Sequence, residues 1–236
     1  MKGYPIFLTG LAAKRCVVIG GGPEAERKVA GLLECAASVT VISPDLTTQL
    51  RLWVEAETIA WLPRPYQPGD LHGAHMVIVT DSSPSMRATI CQEAEAERVL
   101  LNVADDTSHS NFTAGAVIRQ GALTIAISTS GCAPALAVRL RQQCERTFGP
   151  EYAVFLDWLQ ALREPFARQY PDFTERRARW YALVDSEILT LLQQGHVDLA
   201  RQRLAEIIAD VTPDTAKPIE AQVPATPPAP RPEAEP

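Results

Sequence analysis

The sequence is poor in the residues that build metal centres, disulfide frameworks and nucleic-acid faces. It has 5 cysteines and 4 histidines in 236 residues. Cys16, Cys35, Cys91, Cys132 and Cys144 are odd in number and scattered, and none falls in a C-x-x-C or other ligand spacing. Cys16 and Cys35 lie in apolar surroundings and are expected to be buried as small hydrophobes. Cys132 differs in sitting in a glycine-flanked loop. His72 and His75 have Gly73 between them and read as exposed loop histidines. No Lys/Arg cluster is present and the formal net charge is −6, which argues against general nucleic-acid binding. No apolar run reaches the length of a membrane span, so no membrane association is expected. The opening MKGYPIFLTGLAAKR has no apolar stretch long enough for a signal peptide, and a cytoplasmic location is expected. Tyr4–Leu8 reads as a strand or an arm packed on the domain. Apolar content of 46% and charged content of 21% are ordinary for a globular protein, with ample length for a core.

What the chain does have is the run RCVVIGGGPEAERK at residues 15–28. Cys16-Val17-Val18-Ile19 reads as a buried parallel strand. Gly20-Gly21-Gly22 follows, then a helix-forming stretch beginning at Pro23 and Glu24. Gly20, Gly22 and Ala25 occupy the small positions of G-x-G-x-x-G/A. In that layout the first glycine permits the tight turn, and the second lets the backbone approach a pyrophosphate. The third residue packs helix on strand. The free N–H groups at the helix start then face phosphate charge. A second strand at Ser38–Ile42 completes the βαβ unit. A tight turn in some other α/β protein is the competing reading.

Further strands are expected at Thr58–Leu62, His75–Thr80 and Val99–Val103. Asp81-Ser82-Ser83-Pro84 signals the start of a helix that runs to about Glu97. Strands alternating with helices imply an open, Rossmann-like parallel sheet over residues 1–110. Residues 111–150 read as a hairpin (Thr113–Arg119 and Leu123–Ser128) followed by a helix from Pro134, with Leu136, Leu140 and Cys144 on one face. Residues 151–211 read as a helical domain broken at Gly195-His196. Residues 212–236, rich in Pro, Ala and Glu, read as a disordered tail. No internal repeat is apparent.

Ligands of such a sheet bind at the carboxyl ends of its strands. The loops meeting there are Gly20–Ala25, Thr80–Ser83 (with Asp81) and Asn102–Ser110. Asp105, just past Asn102-Val103, is a candidate general base; the alternative is a helix or turn cap. At the end of the second strand stands Ser43-Pro44-Asp45, with no arginine before Arg51. This leans towards NAD over NADP, although Asp45 is displaced from the usual ribose-binding position and could begin a turn.

The runs VVIGGGPEAERKVAGLLECAASVTVISP and LNVADDTSHSNFTAGAVIRQGALTIAISTSGCAPALAVRLRQQCE closely resemble the precorrin-2 dehydrogenase/sirohydrochlorin ferrochelatase family, over roughly residues 3–210. The resemblance implies NAD-dependent oxidation of the tetrapyrrole precorrin-2 to sirohydrochlorin, with insertion of ferrous iron or cobalt in some members. It also implies a homodimer, with the hairpin and nearby helices packed across the two-fold axis. The acid of the family's NV-x-D motif falls on Asp105, which the resemblance makes the catalytic residue, and Asp106 reads as a neighbour that shapes the loop. Cofactor contacts are expected from Gly20, Gly21, Gly22, Pro23, Glu24, Ala25, Ser43, Thr80, Asp81, Asn102 and Val103. The substrate's carboxylates call for local positive charge and N–H or hydroxyl donors. Arg119, Arg139, Arg141, Ser128, Thr129, Ser130 and Gly131 are the candidates, each arginine also reading as an ordinary surface charge. The methyltransferase domain of fused sirohaem synthases is not in this sequence, so it is not expected to make precorrin-2. A non-catalytic dinucleotide sensor and a chelatase without hydride transfer are the competing functions.

Overall fold

A computed structural model of the protein describes residues 3–104 and 106–209. Asp105 and the Pro-rich segment at 212–236 lie outside the described residues. The chain forms two compact units: residues through Ala114 together with Ser130–Cys132, and Gly115–Thr129 together with the chain from Ala133 onward.

The first unit is built on strands β1 (Arg15–Ile19), β2 (Ser38–Ile42), β3 (Ala60–Leu62), β4 (Met76–Val79) and β5 (Leu100–Val103). They are all parallel and lie in the order β3-β2-β1-β4-β5. Helices α1 (Pro23–Leu33), α2 (Thr48–Glu55) and α3 (Pro84–Glu97) connect them. The alternation of β1 shows why these strands are continuous apolar runs. Cys16 and Val18 pack with Ala25, Val29 and Leu32 of α1 and Leu50 of α2. Val17 and Ile19 pack with Ile90 and Ala94 of α3. Both sheet faces are covered, so both sets of side chains must be apolar. This is the expected Rossmann-like α/β architecture.

Some details depart from the sequence pattern. Helix α2 leaves little trace in sequence because Leu50 is its one buried residue; Thr47 caps it by accepting from the Leu50 N–H at 3.3 Å. Strand β3 starts at Ala60 because the N–H groups of Thr58 and Ile59 turn back to the Trp53 carbonyl at 2.9 and 3.3 Å. Tyr4–Leu8 forms no strand: the sheet ends at β3 and β5 without it, and Tyr4 is 89% exposed. Burial begins at Leu11.

The Pro-rich connection before β4 is tied down. Arg64 grips Asp70 through paired contacts of 2.7 Å each. Glu93 of α3 accepts from the Gly69 and Leu71 N–H groups at 3.1 and 2.8 Å and from the Tyr66 hydroxyl. Burial, reinforced by Glu93, pushes the Tyr66 phenol well above its ordinary range.

The second unit opens with the antiparallel hairpin β6 (Ala116–Gln120) and β7 (Leu123–Ile127). Helices α4 (Pro134–Thr147), α5 (Glu151–Gln169), α6 (Phe173–Val184), α7 (Ile188–Gln193) and α8 (Val197–Ala209) follow. Its core sits on Phe155, Trp158, Leu162 and Phe166 of α5, one helical stripe, against Leu183, Ile188 and Leu204. The helical stretch breaks at Gly195, as expected, and also before α6 and before α7. Asp172 caps α6 by accepting from the Glu175 N–H at 2.8 Å. On α4, Leu136 and Leu140, which share a face, remain exposed, as does Val138 on the other side of the helix. No helix among the described residues is long and apolar enough to cross a membrane.

Candidate active site

The sheet order reverses between β1 and β4, and a crevice opens at the carboxyl ends of those two strands. Gly20 follows β1 with φ +117°. A Cβ there would stand 2.3 Å from Thr80 Oγ1 and 3.2 Å from the Asp81 nitrogen, so only glycine lets these loops interlock. Thr80 and Asp81 both donate their backbone N–H to the Ile19 carbonyl, at 2.9 and 3.4 Å. Thr80 also turns its hydroxyl onto that carbonyl at 3.2 Å, while Asp81 is exposed.

Gly21 carries the loop after β2. Its added Cβ would lie 1.9 Å from the Asp45 carbonyl oxygen, and its own carbonyl accepts from the Thr47 N–H at 3.0 Å. Thr47 Oγ1 donates to Glu26 at 2.6 Å, which fastens the loop to α1. Ser43 is buried, and its hydroxyl donates to the Asp45 carbonyl at 2.7 Å. The Ser43 side chain therefore shapes this loop. Arg51 comes within 3.8 Å of the exposed Asp45 carboxylate, and its guanidinium lies 5.8 Å from the Trp61 ring centroid.

Gly22 is different. It is the N-cap of α1, with no side-chain cap, and a Cβ there would meet nothing within 4 Å. Pro23 fills the first turn of the helix, where its missing N–H costs nothing. Ala25 is fully buried against β1, as its small size requires. The space before Gly22 is bounded by helix-start N–H groups and suits a phosphate. The acids of this turn are already matched. Burial alone would raise the Glu24 carboxyl, but Arg27 and Lys28 outweigh it and hold it below the usual range. Glu26 has Thr47. The residues present therefore fit a dinucleotide: Gly20 and Gly21 let the neighbouring loops close in, and Gly22 leaves the helix start open.

The loop after β5 starts from a fixed base. The Ala104 N–H donates to the Val79 carbonyl at 2.8 Å, joining it to the end of β4. Asn102 is buried and its Nδ2 donates to the Phe112 carbonyl at 3.1 Å. The Val103 N–H donates to Ser110 Oγ at 2.9 Å. Asn102 and Val103 thus anchor the loop from beneath. Asp105, the expected base, lies outside the described residues. Asp106 caps a single 3-10 turn, Thr107–His109. Its Oδ1 accepts from Ser108 Oγ at 2.6 Å and from the Ser108 and His109 N–H groups at 3.2 and 3.3 Å. Its Oδ2 contacts His109 Nδ1 at 2.7 Å and Arg87 of α3 at 3.0 Å. Hydrogen bonds from Ser108 and His109, with Arg87 beyond them, hold this carboxyl well below the usual carboxylate range.

Of the expected substrate contacts, Ser130 and Gly131 belong with the first unit. They have φ of +53° and +80°, and a Cβ on Gly131 would lie 3.5 Å from Thr107 Cγ2. Cys132 beside them is exposed. Ser128, Thr129, Arg119, Arg139 and Arg141 belong to the second unit. There Thr129 Oγ1 accepts from the Ala133 N–H at 3.3 Å, and Arg119 reaches Thr124 Oγ1 at 3.3 Å. Arg141 pairs with Glu145, and Arg139 is exposed on α4. His72 pairs with Glu97 at 3.3 Å and His75 is exposed. Among the described residues no group of His, Cys, Asp and Glu is placed to hold a metal. Burial raises the Cys16 thiol, as its apolar surroundings imply.

Three residues of the site escape sequence reasoning. Thr47 carried a signal, since it follows a Ser-Pro-Asp turn and precedes a short helix. Arg87 and His109 carried none, because their common partner Asp106 is recognised only in three dimensions.

Comparison with known proteins agrees along the chain. Residues 7–116 match a family described as "Putative NAD(P)-binding". Residues 120–147 match the sirohaem biosynthesis protein central family, and residues 151–208 the sirohaem synthase dimerisation region. The siroheme synthase of Chromobacterium violaceum is 29% identical over 209 residues, covering 89% of this chain and 44% of that protein. Siroheme synthase 3 of Aeromonas hydrophila is 31% identical over 211 residues, covering 89% and 45%. The chain therefore spans less than half the length of these relatives. A solved structure, "SirC, precorrin-2 dehydrogenase", shares the fold at TM-score 0.71 and 21% identity, covering 88% of this chain and all of that one. Segments described as NAD(P)-binding, sirohaem biosynthesis central and sirohaem synthase dimerisation are thus matched in that order along residues 7–208 of this chain.

Proposed function

We propose that the protein is an NAD-dependent dehydrogenase that oxidises precorrin-2 to sirohydrochlorin. The observation that carries this reading is the open, uncapped helix start at Gly22, set at the sheet's reversal point. NAD, when bound, supplies the hydride acceptor. The chain's own residues do the rest. Gly20 and Thr80 close the turn beneath the cofactor, and Gly21 with Thr47 fixes the wall on the β2 side. Asp105 is the base that takes a proton from the macrocycle as the hydride leaves. Asn102, Val103 and Asp106 hold the ends of its loop. Ser130 and Gly131 bound the site near Thr107. Ser128, Thr129, Arg119, Arg139 and Arg141 supply hydroxyl donors and positive charge for the substrate's carboxylates.

The match to a dimerisation region and the exposed pair Leu136 and Leu140 on one face of α4 support a homodimer. Five scattered cysteines without the spacing of a disulfide framework support a reducing, cytoplasmic setting. Insertion of ferrous iron or cobalt is a second reaction on the same macrocycle, the metal being a substrate, and Asp105 would help remove the inner N–H protons.

The test is anaerobic incubation of precorrin-2 with the protein and NAD, following NADH and the sirohydrochlorin spectrum, for wild type and Asp105→Ala. NADH formation by wild type that falls by about 10² or more in the variant is the expected result. No turnover by wild type would move the assignment to a dinucleotide sensor or a chelatase. Adding ferrous iron after the oxidation then reads the second reaction directly.

A further inference from the structure

Helices α5 and α6, both in the second unit, line a cleft of about 810 Å³, within the size range of sites that take organic ligands. Arg163 and Arg168 face it from α5 and Arg176 and Arg177 from α6, against a single acid, Glu164. A solvated face ordinarily mixes both signs. Here a chain of formal net charge −6 gathers four cations around one carboxylate. No basic run announces this in the sequence, because the two pairs come from different helices.

Little of that charge is answered by the fold. Arg163 and Arg177 have no acidic partner among the described residues, and the Arg177 guanidinium lies 5.5 Å from the Tyr181 ring centroid. Arg176 gives Nη1 to the Tyr170 and Pro171 carbonyls at 2.7 and 3.2 Å, neutral acceptors that leave its charge in place. Arg168 pairs with Glu164 at 2.8 Å, but the two side chains are 76% and 84% exposed, and such a pair contributes little. The same cleft is lined by Phe173, which is 67% exposed, and by Trp180, which Phe166 backs with ring centroids 5.0 Å apart. A compact anion would meet one or two guanidiniums and leave the aromatic lining bare. Separated cations beside aromatic faces suit several carboxylates carried on a flat apolar frame.

We propose that the α5–α6 cleft is a tetrapyrrole-binding site, in which Arg163, Arg168 and Arg177 take carboxylates of the macrocycle and Trp180 and Phe173 meet its apolar body. The choice of ligand rests on the dehydrogenase reading, which makes a carboxylate-rimmed macrocycle the protein's own product. None of these residues is among those assigned to the substrate above. Arg176 is a positioning residue, since its contacts with the Tyr170 and Pro171 carbonyls hold the turn between the two helices.

The experiment titrates sirohydrochlorin into the full-length protein at low ionic strength. Wild type is compared with the double variants Arg163→Gln/Arg177→Gln and Arg163→Lys/Arg177→Lys. Neither arginine binds an acid or a backbone carbonyl, so the melting midpoint of both variants is expected to match wild type. The glutamine variant should raise Kd for sirohydrochlorin by about tenfold or more. The lysine variant should raise it less, since it keeps the charge and loses the planar fork. A second measurement uses wild type alone. With 4 tryptophans in the chain, the Trp180 indole signal can be assigned by NMR and followed as sirohydrochlorin is added. A shift at Trp180 supports the proposal, and an unmoved Trp180 in protein that binds sirohydrochlorin overturns it. Inorganic phosphate and poly-L-glutamate are titrated in parallel. If either depends on the two arginines while sirohydrochlorin does not, the cleft belongs to a compact anion or an acidic protein segment, and the proposal is overturned. Wild type that oxidises precorrin-2 while the glutamine variant keeps full affinity for sirohydrochlorin overturns this proposal alone. Arginine-dependent binding by a protein that oxidises nothing removes the dehydrogenase reading and leaves the cleft's assignment standing. Wild type that neither oxidises precorrin-2 nor binds sirohydrochlorin overturns both.

Discussion

Alanine at Gly22 is expected to spare the fold and weaken dinucleotide binding, whereas alanine at Gly20 is expected to damage the fold itself. The contrast follows from what each added methyl meets. Gly22 has φ −85° and ψ −174°, a conformation open to alanine, with nothing within 4 Å of the new Cβ. The cost is that of a poorer N-cap, at most about 1 kcal/mol, or roughly 2–4 °C in a chain of this size. Gly20 has φ +117°, which costs an alanine about 1–3 kcal/mol. Its Cβ would also lie 2.3 Å from Thr80 Oγ1, and overpacking of that kind costs a further ~1–3 kcal/mol. A loss near 4 kcal/mol corresponds to roughly 8–16 °C.

Thermal melts with and without NAD separate the two effects. At a concentration 100-fold above its Kd, a ligand adds about 2.7 kcal/mol, or roughly 5–11 °C. If the Gly22→Ala methyl weakens binding by about 100-fold, the same concentration adds about 0.4 kcal/mol, which is roughly 1–2 °C. A Gly22→Ala protein that keeps the full NAD shift would show that the pyrophosphate does not lie before Gly22. A Gly20→Ala protein that melts like wild type would refute the steric argument.

Acid should act through Asp106. Its folded-state carboxyl is held below the ordinary range, so its contacts stabilise the fold fully above about pH 4 and less as pH falls towards the lower folded value. Asp106→Asn is therefore expected to lose less stability than wild type over that acid window, as read by circular dichroism; equal acid slopes would show that the carboxylate is not coupled to folding. In the second unit, Trp158 is buried at the centre of α5 with the Arg201 guanidinium 5.0 Å from its ring centroid. Trp158→Ala should cost about 3–5 kcal/mol and lower the melting of the helices, and an unchanged helical melt would contradict its place in that core.

Much of the first unit was legible because its residues serve local and tertiary demands together. Val17, Val18 and Ile19 are apolar without alternation because helices cover both faces of β1. Gly20 and Ala25 stand where the chain turns and where helix meets strand, and the sequence spacing alone reports both. Helix α2 was not legible, since one buried leucine in TQLRLWVE makes no stripe. Its start depends on Thr47, which the glycine loop holds from outside the helix. Ser43 and Asn102 were legible as residues of the site's edge but not in their orientation, because both turn their polar groups onto backbone carbonyls, Ser43 within its own loop and Asn102 onto Phe112. The Asp106–His109 contact was invisible for a related reason. Asp-Thr-Ser-His has the composition of any capped turn, and the distinction lies in which carboxylate oxygen meets which donor.

The return of Ser130–Cys132 to the first unit bears on any attempt to take the protein apart. A fragment ending near Ala114 would keep every strand of the parallel sheet, yet it would lack Ser130 and the glycine that faces Thr107. Such a piece is expected to bind dinucleotide as a competent half-protein while presenting an unfinished rim beside the β5 turn. Grafting this cofactor platform onto another protein therefore means carrying the hairpin along, because the chain reaches residues 130–132 only by passing through β6 and β7.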